Sequence, residues 1–188
     1  MPSDVPSIVG RWQKISDGPT LHVVPNEPKF LERLVWPLRH AKSGYVLGNF
    51  LGTIALCGIV AEMLAILLYD IAPASLGGTQ LSEAQEEDLF GRKFEKLGQE
   101  QRTKVLRVLN IIDDEVKALF DIVRTTRRKY LHLYDTSHEN LPEDAAQVFH
   151  STVKLIEKGL GFGFRDTSFT IRPAFLQYME AHGIVFKK

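Results

Sequence analysis

Residues 43–61 run for nineteen positions without a charged side chain, and after Glu62 the chain is apolar again to Tyr69. A stretch of that length overlaps what a bilayer crossing requires, so it either spans a membrane or lies at the centre of a fold. Its composition argues for the second. Gly44, Gly48, Gly52 and Gly58, with Asn49 and Thr53, dilute the hydrophobicity, and Glu62 would put a costly charge into hydrocarbon. Glycines four apart also make a narrow ridge along which another helix can approach closely. The segment is therefore read as the central buried helix of a soluble bundle, with no membrane role. It is expected to be one long helix from about Pro37, stopped at Pro73.

The rest of the chain supplies helices to pack around it. Ser82 with Gln85 three residues later reads as a capping box, opening a polar helix to about Lys96 that Gly98 closes. A further helix spans roughly 99–110, with Val105, Leu106, Val108 and Leu109 as apolar contacts. Asp113 or Asp114 caps the next, whose core stripe is Val116, Leu119, Phe120, Val123 and Tyr130. Pro142 in a first turn starts the last bundle helix, with Ala145, Ala146, Phe149, Val153, Ile156 and Leu160 facing inward and Gly159 and Gly161 at its end.

The two ends look different. Residues 1–28 alternate loosely around a Ser-Asp-Gly-Pro turn at 16–19, which suggests an arm or small hairpin. Residues 164–188 offer a strand at 168–172 and a short helix at 173–182. The expected fold is thus all-α, a bundle of four to five main helices over 29–163, with a small α/β appendage built from the two termini.

Lys and Arg total 23 and Asp and Glu total 23, so no global field draws in nucleic acid and any such contact needs a local patch. The single Cys57 excludes an internal disulfide and a cysteine-based zinc cluster. With no basic-then-apolar leader in the first fifteen residues, the expectation is a cytoplasmic protein.

One local patch exists. Arg124, Arg127, Arg128 and Lys129 fall within six residues, followed by Tyr130 and His132. A guanidinium that can hold a phosphate and an imidazole that titrates near neutrality are the two groups needed to cleave RNA without a metal. On an ideal helix Arg124, Arg128 and His132 share a face, whereas Arg127 and His132 stand about 140° apart. The two can serve one phosphate only if the helix ends near His132, or if two copies of the motif meet across a dimer. The plainer reading is a solvated basic face at a helix C-terminus, where cations complement the dipole. Glu62, a carboxylate in the most apolar helix, needs a partner there. If that partner is Arg127, the carboxylate orients the guanidinium. Asp135, His138 and Glu139 match no standard helical spacing for a metal site, and no phosphate-binding glycine loop or cofactor motif is present.

Arg127 and His132 with four residues between them, near the end of an Asp-capped helix and followed by a loop and a second amphipathic helix, resemble the motif of the HEPN superfamily. The likeness spans about residues 41–160. It implies an RNA-binding helical domain, in active members a metal-independent endoribonuclease that works as a homodimer and can be a toxin held by an antitoxin-like partner. Carried onto this chain, Arg127 and His132 are catalytic, Arg124, Arg128 and Lys129 contact nucleic acid, and Glu62 and Tyr130 support them, with no cofactor. Active members commonly carry Asn, Asp or His after the arginine; here Arg128 stands there, and an Arg128→Asn variant is expected to be at least as active as the parent. The alternative is a non-catalytic protein of the same fold, used for dimerisation or for binding a partner. A catalytic chain should present Arg127 and His132 in a groove; a structural one should spend them on internal salt bridges or helix carbonyls.

Overall fold

The computed structural model describes residues 4–17, 31–72, 75–76, 79–132, 137–161, 163–165, 168–170 and 173–181. Its elements are α1 (Val5–Ser16), a π-helical turn (Leu31–Val35), α2 (Trp36–Val46), α3 (Phe50–Ile71), α4 (Glu83–Phe90), a 3-10 turn (Phe94–Lys96), α5 (Gln99–Val108), α6 (Asp114–Leu131), α7 (Leu141–Leu160) and α8 (Pro173–Ala181). The protein is an all-α bundle with more helices than the expected four to five.

Among the described residues the two ends form no α/β appendage. Residues expected to form an N-terminal arm or hairpin are helical over Val5–Ser16, because Asp4 caps the first turn by accepting from the Ser7 amide at 2.8 Å and Pro6 suits that turn. Ile15 is fully buried, and α1 lies on α2 and α7. Arg11 Nε donates to the Val46 carbonyl at 2.8 Å, and Lys14 pairs with Glu143 at 3.0 Å. The expected partner strand at 21–24 falls outside the described residues. Among those residues, extended pairing is limited to Ser75–Leu76 with Thr79–Gln80 and Gly163–Arg165 with Ser168–Thr170, two isolated ladders that form no sheet layer.

The apolar segment is also not one helix. The chain turns at Leu47–Gly48–Asn49, with Gly48 at φ 83, a conformation that side chains with a Cβ rarely adopt. Asn49 then caps α3 by accepting from the Gly52 amide at 3.0 Å, and Thr53 Oγ1 donates back to the Ala41 carbonyl at 3.0 Å, closing the α2–α3 corner. The glycines therefore serve separate local purposes instead of forming one ridge. α3 is the hub: it packs against α2, α5, α6 and α7, with Ile54, Cys57, Val60, Leu64, Ala65 and Leu68 at 0% exposure. Its length and mean hydropathy of 2.3 would suit a membrane span, but half of its most apolar window is buried inside the protein. Burial pushes the Cys57 thiol up to about 12, so it stays protonated and acts as a small core residue.

Capping chemistry sets the other boundaries. Ser82 and Gln85 make the reciprocal capping box, but α4 stops at Phe90 because Gly91 takes a left-handed conformation at φ 78. Asp113 accepts from the Val116 amide at 2.8 Å and starts α6. All six inward positions expected in α7 are buried, and Gly161 ends that helix at φ 67. Val108 is 79% exposed, not core.

Candidate functional site

The C-terminal half of α6 forms one wall of an open cleft of roughly 280 Å³. Val123, Arg124, Arg127, Arg128 and His132 line it, facing Gly58, Ala61 and Glu62 of α3 and the start of α5 at Gly98, Gln99 and Glu100. α6 ends at Leu131, and His132 occupies the C-cap at φ −124. Arg127 and His132 both line this cleft despite standing five residues apart.

Arg127 crosses to α3. Its Nη1 donates to Glu62 Oε1, a contact that joins positions 65 residues apart. What makes room is Gly58, one turn before Glu62: a Cβ built there would stand 2.4 Å from Arg127 Cδ. The bare backbone is the surface on which the arginine shaft lies. Each of the two charged side chains is 31% exposed, so the pair sits at the cleft wall and not in the core. Among the described residues, Arg127 Nε is buried without a hydrogen-bond partner.

The other basic residues divide. Arg124 pairs with Glu100 at 3.2 Å and Asp121 at 3.3 Å, bracing α6 against the start of α5. Lys129 points away from the cleft and pairs with Asp144 of α7 at 2.8 Å, while its ammonium sits 4.7 Å from the Tyr130 ring centroid. Tyr130 is core, and its hydroxyl donates to the same Asp144 carboxylate at 2.6 Å. Burial works to raise the Asp144 carboxyl, but Lys129 and Tyr130 outweigh it and hold the group below its ordinary value. Arg128 and His132 are exposed, and among the described residues neither side chain has an ion-pair or hydrogen-bond partner.

Of the residues singled out in the sequence, the cleft thus gathers Glu62, Arg124, Arg127, Arg128 and His132, and leaves Lys129 and Tyr130 outside. Sequence reasoning missed Gly58, Gln99 and Arg102. Gln99 lines the cleft and donates Nε2 to the Ala61 carbonyl at 3.4 Å, and its buried Oε1 has no partner among the described residues. Arg102, 8% exposed, donates to the Glu95 carbonyl at 2.5 Å. Burial lowers its pKa, opposed by the nearby Glu62 carboxylate. The signal for both was their place on the inner side of α5, at the start and one turn on, but no local pattern ties that helix to α3.

Chemically, the cleft offers three arginines against two carboxylates, with a free imidazole at its rim, which suits an anion with oxygen acceptors. Among the described residues, no group of three or more His, Cys, Asp or Glu is placed to hold a metal ion; Asp135 lies outside them. Comparison with family models, with curated proteins and with solved structures finds no match.

Proposed function

We propose that this chain is a HEPN-type RNA-binding domain and a metal-independent endoribonuclease, with its site in the cleft between α3, α5 and α6. The observation that carries the reading is that Arg127 and His132 line one open cleft, His132 without a side-chain partner among the described residues. In this reading the ribose 2′-oxygen attacks the adjacent phosphorus and the bond from phosphorus to the 5′-oxygen breaks. His132 takes the 2′-hydroxyl proton, and a proton from solvent ends on the 5′-oxygen. The products carry a 2′,3′-cyclic phosphate and a 5′-hydroxyl. The arginine field of the cleft stabilises charge on the phosphoryl oxygens, and Glu62 fixes Arg127 in the cleft wall. The protein acts as a cytoplasmic homodimer that brings two clefts together, and an antitoxin-like partner would inhibit it by covering them.

One observation favours the non-catalytic reading of the same fold: Arg127 is already spent on Glu62. The discriminating experiment is incubation of purified protein with single-stranded RNA in EDTA. Catalysis requires cleavage by the parent and its loss in His132→Ala, an exposed position whose truncation leaves the circular dichroism unchanged. Equal residual breakdown by parent and variant would mark contamination and leave a binding protein.

A further inference from the structure

The RNA reading leaves open which arginine touches the phosphate, and the ion-pair pattern of α6 answers it. Arg124 is held by Glu100 and Asp121, Arg127 by Glu62, and Lys129 by Asp144. Arg128 is exposed and carries no ion pair among the described residues. It lines the same cleft as His132, one turn before it, and its carbonyl accepts from the His132 amide at 3.2 Å, which fixes the last turn of α6. Residues four apart on a helix are surface neighbours, and both side chains line the cleft.

Two non-bridging phosphate oxygens are best held by a planar guanidinium with its donors free. Arg127 meets that condition less well than a solvent-facing arginine, since its charge is already balanced by Glu62 and its Nε is buried. Resting on the RNA reading, we infer that Arg128 is the residue that binds the phosphate beside His132. Arg127 is a positioning residue, locked on Glu62 across the Gly58 backbone, that holds the end of α6 in place. This reverses the expectation from sequence that asparagine at position 128 would serve at least as well.

The test is fluorescence anisotropy with a labelled single-stranded RNA in EDTA across a salt series, for the parent, Arg128→Ala, Arg128→Asn and Arg127→Lys. Both Arg128 variants should weaken low-salt binding about tenfold and lower the slope of log affinity against log salt by about 0.7, one phosphate contact, at an unchanged thermal midpoint. Arg127→Lys, which can still pair with Glu62, should keep the parental slope and stay within about threefold in affinity. Parental affinity and slope in both Arg128 variants would overturn the assignment, as would loss of one contact's slope in Arg127→Lys. A parent that shows no salt-dependent RNA binding would sink the RNA reading itself, and this assignment with it; the failure is then in the parent and not in the variants.

Discussion

Gly58→Ala tests the wall of the cleft, because two effects of known sign oppose each other there. In the interior of a helix, alanine is favoured over glycine by about 1 kcal/mol. At this position the new methyl would lie 2.4 Å from Arg127 Cδ and 3.1 Å from its Nε. The arginine side chain can swing away, so the clash itself is relieved, but the swing takes the guanidinium off Glu62. A pair with both side chains 31% exposed is worth about 1 kcal/mol after solvent screening, and the half-buried carboxylate left behind adds roughly another 1 kcal/mol. In the parent the substitution should therefore range from neutral to destabilising by about 1 kcal/mol. In an Arg127→Ala background nothing is displaced, and the same methyl should stabilise by about 1 kcal/mol. The coupling between positions 58 and 127 is then about 1–2 kcal/mol, read from urea unfolding of the four proteins followed by circular dichroism. A coupling below about 0.5 kcal/mol, within ordinary additivity, would refute the claim that Gly58 exists to seat Arg127.

Three further outcomes follow from the packing and charge pattern. Leu64→Ala, at a fully buried position of α3, should cost about 2–5 kcal/mol in urea unfolding, the range for a cavity in a packed core. The Asp144 carboxyl is held below its ordinary value, so its contribution is present above the unfolded carboxylate pKa of about 4 and is lost as pH falls through the folded value. Thermal midpoints of Asp144→Asn should thus be lower than the parent's at pH 7 and fall less steeply below about pH 4. In detergent-free buffer, light scattering should give twice the 21.3 kDa chain mass; a monomer at tens of micromolar would remove the paired-cleft arrangement.

Where local chemistry decides structure, the sequence was readable. Asp113, the Ser82–Gln85 box and Pro142 start helices in the structure, because a cap needs only residues three or four apart. The same reach explains α7, whose stripe repeats cleanly from Ala145 to Leu160. The N-terminal helix was missed because a short run such as residues 11–15 fits alternation as well as helical spacing, and Asp4, eleven residues before Ile15, decides between them. The break at residues 47–49 is not legible from sequence because glycine spacing alone does not separate a helix ridge from a positive-φ turn, which is what Gly48 makes. At the site, the need of Glu62 for a cationic partner was legible from residue type alone. The geometry was not, because Glu62 meets Arg127 across 65 residues and Gln99 meets Ala61 across 38, and such pairs leave no local pattern.

The central claim, that this cleft binds the RNA backbone, is tested most directly by side-chain NMR of the His132 imidazole and the Arg128 guanidinium. A single-stranded RNA carrying 2′-O-methyl groups, which has no attacking hydroxyl, would be titrated in EDTA at low salt. The account predicts saturable shifts at both groups, reversed by added salt, with Lys129 on the Asp144 side unmoved. Saturable RNA binding that shifts residues elsewhere and leaves His132 and Arg128 unchanged would contradict it.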